Sequence, residues 1–276
     1  MEMKGILDYR LLPGEAALWW LGQSGYIIRS TDLTIAIDPY LSDAAAIGMP
    51  EFTRLYPPPF AGDQLCVDIY VVTHNHADHL DPETVQAYAY KDTTRFIAPR
   101  LACKKLEALG VPASRITRVD VGEQWSDATV GITGIFTLPT GADVLDTAGY
   151  LIRFANGREL YHTSDTQYHP LVVAAAPRKP EVMVVPINGK WGNTNAQQAA
   201  EFAVHLQPAI VIPNHYDMMA LNGENPDIFR WFCEQSGLGN ACTVASLMHP
   251  IRWSGTGNKP ERPTSSRGRA DKGKGD

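Results

Sequence analysis

The chain has 276 residues, 44% of them hydrophobic and 20% charged, with a formal net charge of -6 at pH 7. This composition predicts an ordinary soluble globular protein with enough residues for one large core. Because an acidic chain is not generally attracted to nucleic acid or to an anionic membrane, we expect a small-molecule substrate and neither of those partners.

Location signals favour the cytoplasm. No apolar run approaches the roughly 20 residues that span a bilayer, and the N-terminal stretch lacks the basic-then-apolar pattern of a secretory signal. The four cysteines form no C-x-x-C pair, which predicts free thiols. The composition is compatible with a homo-oligomer.

The first half of the chain begins with strands and continues with alternating strands and helices. Three strands at 17–21, 25–29 and 33–37 are predicted to form a meander, followed by a proline-rich loop over 44–65. A buried strand at 67–73 precedes a helix whose start is marked by Asp81 and Pro82. Then come a strand at 94–99, a helix over 100–110 and short strands up to residue 139.

The second half repeats this order. Strands are predicted at 149–154, 159–162, 181–187 and 209–215, with helices at 195–206 and 226–236. Two facing sheets with helices outside bury these apolar faces, so the predicted fold is a four-layer αββα sandwich. We expect residues 1–253 to form a single domain and the polar, basic stretch 254–276 to be a disordered tail.

Histidines and aspartates are concentrated in the stretch "VVTHNHADHLDPET", residues 71–84, on a loop between a strand and a helix. His74 and His76 lie two positions apart and can point the same way, while Asp78 and His79 continue round the turn. Imidazole and carboxylate ligands suit zinc, iron or manganese, and such an ion lowers the pKa of bound water toward neutrality. The stretch therefore predicts a metal site.

Other strand ends offer further candidates. Asp165 and His215 each follow a buried strand and are predicted to complete the metal site, with Asp165 as a bridging carboxylate. Asp38 ends the strand "TIAID", where we expect it to orient a ligand histidine through the other ring nitrogen. His162 is predicted to lie near the site without binding metal.

Four stretches, "LWWLGQSGYIIRS", "THNHADHLD", "LYHTSDTQYH" and "AIVIPNHYD", together resemble the metallo-β-lactamase superfamily. Their order is similar to that of its L-ascorbate-6-phosphate lactonase-like branch of metal-dependent hydrolases. The resemblance implies that His74 and His76 bind one metal and that Asp78, His79 and His215 bind a second. Asp165 would bridge the two ions.

The chain departs from the family pattern at two places. A further histidine ligand is usual between the first cluster and the bridging aspartate, yet residues 80–161 contain none. The first site is then left with His74, His76 and Asp165 unless Asp143 or Asp146 reaches it. Such a site shifts preference from zinc toward manganese, so we expect one or two divalent ions of Mn²⁺ or Zn²⁺. In addition, Ser164 stands where relatives have glycine.

The segment "PINGKWGNTN" is predicted to present Lys190 and Trp191 to a substrate. A lysine and backbone N–H groups at a helix start suit a phosphate or carboxylate. A solvated lysine and a packed tryptophan are the alternative.

The primary prediction is a metal-dependent hydrolase in which a metal-bound hydroxide attacks an ester or lactone, with a phosphorylated sugar lactone as one such substrate. Asp78 would be the catalytic group that transfers protons. One alternative is a phosphodiesterase or phosphate-ester hydrolase. Another is a non-catalytic metal-dependent binding or sensor protein that kept the fold while its incomplete first site lost catalysis. A β-lactam substrate is disfavoured by the expected cytoplasmic location.

Overall fold

The computed structural model describes residues 2–255. Two β-sheets stack face to face, and helices cover the outer face of each. Most of the predicted tail, from residue 256 onward, lies outside the described residues, whereas Ser254 belongs to a strand. None of the helices in the described part is long and apolar enough to cross a bilayer.

The first sheet has seven strands in the order β13-β1-β2-β3-β4-β5-β6. Their bounds are β1 Glu15–Gly22, β2 Gly25–Arg29, β3 Thr34–Ile37, β4 Ile69–Val71, β5 Arg95–Ala98, β6 Ile116–Arg118 and β13 Pro250–Ser254. The meander β1-β2-β3 is antiparallel as predicted, and β13 joins β1 antiparallel. From β3 to β6 the strands are parallel.

The second sheet has six strands in the order β12-β11-β10-β9-β8-β7. Their bounds are β7 Gln124–Ser126, β8 Val130–Phe136, β9 Ala148–Phe154, β10 Glu159–His162, β11 Val182–Pro186 and β12 Ile210–Asn214. Strands β10, β11 and β12 run parallel, so their carboxyl ends lie along one edge. That edge carries the loops that follow residues 162, 186 and 214.

Six helices form the outer layers: α1 Met3–Leu7, α2 Pro82–Ala87, α3 Arg100–Ala108, α4 Pro170–Ala175, α5 Ala196–Leu206 and α6 Pro226–Gln235. In β1, Leu18 and Trp20 face the core between the sheets, while Trp19 and Leu21 face the core beneath α1, α2 and α3. Burial on both faces explains why this strand is a continuous apolar run. The predicted αββα sandwich is confirmed.

Local signals place the helix next to the histidine loop. Asp81 caps α2 by accepting from the backbone N–H groups of Glu83 and Thr84, and Pro82 occupies the first helical turn. A cap of this kind contributes about 1 kcal/mol. Asp81 also accepts from Ser42 Oγ at 2.7 Å, which ties the start of the 44–65 loop to the same helix.

Candidate metal centre

The predicted ligands meet where the carboxyl ends of the parallel strands of both sheets come together. His74 and His79 follow β4, Asp165 follows β10, and His215 follows β12. The three histidines are fully buried, and the side chain of Asp165 is 9% exposed. The fold therefore brings together side chains that lie far apart in the sequence.

His79 is held through one ring nitrogen. Its Nδ1 lies 2.7 Å from Oδ2 of Asp38, and Asp38 also accepts from the backbone N–H and the hydroxyl of Thr73, at 2.8 and 2.6 Å. These contacts leave Nε2 of His79 as its only nitrogen facing the site. They are the geometry expected of a carboxylate that orients a ligand histidine.

Asp165 is held through one carboxylate oxygen. Asn193 Nδ2 donates to its Oδ2 at 2.8 Å, while Oδ1 lies 2.8 Å from His215 Nε2 and 3.4 Å from His79 Nε2. These last contacts meet the distance for an ion pair but not the directions of a hydrogen bond, so all three atoms lack a hydrogen-bond partner. Three buried polar atoms thus face one another at distances that a shared cation would satisfy.

Asp78 also lies close to this group. Its Oδ2 lies 3.7 Å from His79 Nε2 and accepts from Gln23 Nε2 at 3.0 Å and from Asn222 Nδ2 at 3.4 Å. The same Gln23 nitrogen lies 2.8 Å from Nδ1 of His215. Gln23 therefore connects two of the predicted ligands.

His76 is absent from the sets of ligand atoms that include Asp165 or His79. Nε2 of His74 lies 3.1 Å from Nδ1 of His76, whose Nε2 lies 3.2 Å from Oδ2 of the exposed Asp143. Asp146 instead accepts from the backbone N–H of Leu101, at the start of α3. Of the two aspartates considered from the sequence, Asp143 is thus the one that contacts the first histidines, at His76.

The charges of the site favour a cation. Burial opposes ionisation of Asp165, but the neighbouring His215 and His79 hold its pKa well below the ordinary range. Burial likewise disfavours a charged His79, yet the carboxylates of Asp165, Asp78 and Asp38 raise its pKa well above the usual value. Burial and the neighbouring His79 lower the pKa of His74. Positive charge is therefore stabilised at the His79 end of the site.

Two sets of ligand atoms have the spacing of a metal site: His74, His79 and Asp165, and Asp78, His79 and His215. His79 belongs to both, but with Nδ1 occupied by Asp38 it can bind only one ion. Imidazole nitrogens and carboxylate oxygens suit zinc and manganese. The residues present fit a divalent metal, and His76 lies outside both sets.

Several residues around the site adopt strained backbone conformations. Gln23, Asp38, Ser164 and His215 have φ values of 50°, 45°, 62° and 57°, in the left-handed region that favours glycine. Such residues cost of order 1–3 kcal/mol each and cluster at functional sites. For Ser164, the positive φ is a conformation that the glycine expected from the family resemblance would adopt without strain.

The other predicted site residues lie around the centre. His162 is buried, with Nε2 3.2 Å from the carbonyl oxygen of Ser24 and Nδ1 accepting from the backbone N–H of Ser164. Lys190 Nζ donates to the carbonyl oxygen of Gly223 at 3.1 Å. Trp191 is 55% exposed and contacts the ring of Phe52, with centroids 5.8 Å apart.

Two residues that contact the predicted ligands were not identified from the sequence. Gln23 lies between two glycines in the β1–β2 turn, and Asn193 lies in the loop before α5. An amide in a glycine-rich turn at a strand end is the available signal, but it is weak because such residues are common in turns. Only the fold shows that they reach His215, Asp78 and Asp165.

Solved structures share this architecture. A metallo hydrolase from the archaeon Ignicoccus hospitalis matches with a TM-score of 0.70 and 20% identity, covering 87% of this chain and 99% of the other. An isothiocyanate hydrolase from Delia radicum gut bacteria matches with a TM-score of 0.71 and 17% identity, covering 86% and 98%. At these identities the likeness concerns the fold alone.

Sequence comparisons identify the family. A model described as a beta-lactamase superfamily domain matches residues 34–216. A UPF0173 metal-dependent hydrolase from Hyperthermus butylicus is 26% identical over 218 residues, covering 78% of this chain and 90% of the relative. One from Myxococcus xanthus is 28% identical over 228 residues, covering 78% and 75%. The superfamily resemblance is confirmed, and the chain belongs to the beta-lactamase superfamily as a metal-dependent hydrolase.

Proposed function

We propose that this protein hydrolyses an ester or lactone of a small molecule at the centre formed by Asp78, His79, Asp165 and His215. The observation that carries this proposal is the convergence of His79 Nε2, Asp165 Oδ1 and His215 Nε2, which are buried and lack hydrogen-bond partners. Leaving such atoms unpaired is costly unless a ligand satisfies them.

These four residues would hold one divalent ion tightly. Two of them are held by contacts with neighbouring residues: Asp38 contacts Nδ1 of His79, and Asn193 donates a hydrogen bond to Asp165. We further propose that His74, His76 and Asp143 hold a second ion less tightly, because His76 and Asp143 are partly or largely exposed. When bound, such a metal supplies a Lewis acid and an activated water at neutral pH.

Asp78 is the proposed catalytic group. Its Oδ2 lies 3.7 Å from Nε2 of His79, and its side chain is 13% exposed, so water can reach it. Gln23 and Asn222 donate to that oxygen and keep it directed at the centre. A carboxylate held this way can accept the proton of the attacking water and pass it to the leaving alkoxide.

Lys190 and Trp191 are the proposed substrate-binding residues. Their loop also carries Asn193, which contacts Asp165, so the loop adjoins the centre. The ammonium group of Lys190 has one hydrogen bond to Gly223 and retains donors for an anionic group, such as the phosphate of a sugar lactone. The exposed Trp191 offers an apolar face to the rest of the substrate.

The proposed compartment is the cytoplasm. All four cysteines, which lie within the described residues, are free. Free thiols are typical of proteins that work in reducing compartments. The acidic net charge of -6 supports a small-molecule substrate over nucleic acid.

The test is to purify the protein without chelator, measure bound metal by elemental analysis, and assay it after reconstitution with Mn²⁺ or Zn²⁺. Lactones, simple esters and bis-p-nitrophenyl phosphate are offered in parallel. We expect metal-dependent turnover of a lactone or ester that is lost in His215→Ala and retained in His205→Ala, whose imidazole is exposed on α5. Turnover of the phosphodiester alone would favour phosphate-ester hydrolysis, and metal binding without turnover would favour a binding protein.

A further inference from the structure

Gln23 occupies a constrained position beside the candidate metal centre. It lies in the turn between β1 and β2, its side chain is fully buried, and its φ is 50°. The indole of Trp20 and the backbone N–H of His215 both donate to its carbonyl oxygen, at 3.1 and 3.3 Å. Two hydrogen bonds thus hold the backbone of Gln23 in its strained conformation. This conformation directs the side-chain amide of Gln23 toward the candidate metal centre.

That amide joins two ligands. Nε2 of Gln23 lies 2.8 Å from Nδ1 of His215 and 3.0 Å from Oδ2 of Asp78, while its Oε1 is buried without a hydrogen-bond partner. Both hydrogens of the amino group are therefore used, one on each ligand, and an acceptor remains unused beside them.

The direction of the hydrogen bond between Gln23 and His215 determines which ring nitrogen of His215 carries the proton. An amide nitrogen only donates, so Nδ1 of His215 accepts, and the proton of the neutral ring lies on Nε2, the atom facing Asp165. A metal ligand needs its lone pair at that atom, and the proton at Nδ1 then needs an acceptor. If the amide rotates by half a turn, the unused oxygen of Gln23 becomes that acceptor, and the donor to Oδ2 of Asp78 is then lost.

We propose that Gln23 is a positioning residue of the metal centre. In the observed orientation its amino group directs Asp78, and through the amide atom that it turns toward Nδ1 it determines which nitrogen of His215 carries the proton. Nε2 of His215 is thereby freed when a divalent metal binds. This inference rests on the proposed function and adds a residue that acts through the ligands.

Two substitutions separate the roles of the amide. Gln23→Met keeps the length of the side chain and removes its hydrogen bonds, so we expect zinc affinity to fall about 10- to 100-fold. Gln23→Glu retains an acceptor for the Nδ1 proton, and we expect its affinity to lie within tenfold of wild type. Ser24→Ala is the matched control, because Ser24 is buried in the same turn but contacts His162 and Asn214 instead.

The added charge of Gln23→Glu is controlled separately. In the Gln23→Met background, Asn222→Asp places an equal charge beside Asp78, the ligand that Asn222 already contacts. Near-wild-type zinc affinity in Gln23→Glu, together with weak affinity in the Gln23→Met, Asn222→Asp double variant, supports the acceptor role. Equal zinc affinities in Gln23→Glu and in the double variant would overturn that role, because the added negative charge alone would then explain the affinity.

The measurements are zinc titration calorimetry on the metal-free proteins and imidazole ¹⁵N NMR of wild type. We expect the His215 proton on Nε2 without metal and on Nδ1 with zinc. Wild-type affinity in Gln23→Met, or an Nδ1 proton in the metal-free wild type, would overturn this inference while leaving the proposed function standing. A wild type that binds no zinc would contradict both. The NMR measurement still decides if Gln23→Met fails to fold.

Discussion

Asp38 Oδ2 lies 2.7 Å from Nδ1 of His79, and both side chains are fully buried. Asp38 reaches this position with a φ of 45°, and the hydroxyl and backbone N–H of Thr73 complete its hydrogen bonds. The carboxylate thus determines which nitrogen His79 presents to the site. A strained strand end and a histidine loop act as one unit.

Replacing the Asp38 carboxylate tests whether it orients His79. We expect Asp38→Asn to weaken zinc binding about 10- to 100-fold. The substitution removes the negative charge next to Nδ1 of His79 and leaves one acceptor oxygen in place of two. Calorimetric titration of metal-free protein is the measurement. Asp32→Asn, at an exposed turn, serves as the control and is expected to bind as wild type does. Equal affinities in both variants would contradict the orienting role.

Removing metal should lower stability without unfolding the protein. The ligands are held by protein contacts such as Asn193 on Asp165, so the chelated protein is expected to keep its circular dichroism spectrum. Metal at a hundred times its Kd stabilises a folded state by about 2.7 kcal/mol. Differential scanning calorimetry with EDTA, and again with zinc restored, should show Tm fall and recover. An unchanged Tm would argue against binding to the native fold.

Asp143→Ala should affect only the weaker of the two proposed sites. Asp143 Oδ2 contacts His76 Nε2 at 3.2 Å, and neither residue belongs to the sets that share His79. We therefore expect the first equivalent of metal to bind as in wild type and the second to bind about tenfold more weakly or not at all. Manganese titration followed by electron paramagnetic resonance distinguishes the two events. Loss of the tight event instead would contradict the assignment.

Ser164→Gly should stabilise the protein by about 1 kcal/mol, because it relieves a left-handed backbone at φ 62° and removes a buried hydroxyl without a partner. Gln207→Gly, at the exposed end of α5 with φ 56°, isolates the gain due to the backbone alone. Urea unfolding gives both free energies. A loss of stability in Ser164→Gly would indicate that the hydroxyl contributes more than the strain costs.

Burial lowers the pKa of His162 to about 4, from an ordinary value of 6.5. The unfolded chain therefore binds more protons between these pH values, and stability that is fully present above pH 6.5 is lost as the pH falls. We expect this residue to account for about 2 kcal/mol of the loss between pH 7.5 and 5. Urea unfolding with EDTA should show a smaller loss in His162→Gln than in wild type. Equal losses would be evidence against a neutral buried imidazole.

Most of the fold could be predicted because its strands and helices carry local signals. The runs that became β1 to β5 are rich in apolar and β-branched residues, and Asp81 with Pro82 marks the start of α2. Helices α1 and α4 and strand β13 were not predicted. Each has five or six residues, too few to show a period, and β13 is defined by pairing with β1 at the other end of the chain.

The site could be predicted only in part, for a similar reason. His74, His79, Asp165 and His215 follow buried strands, a local signal that the structure matches by bringing them together. The contacts of Gln23 with His215 and of His76 with Asp143 join residues far apart in sequence, which no local pattern encodes. The direction in which a loop side chain points depends on the tertiary fold.

The pairing of β13 with β1 has a consequence for biosynthesis. Glu15 pairs with Ser254, so the β1 edge of the first sheet stays open until residue 254 has left the ribosome. An uncovered edge can pair with another chain, and contacts of this sequence separation slow folding. We expect nascent chains that stop before Pro250 to aggregate, because β1 then has no antiparallel partner on that side.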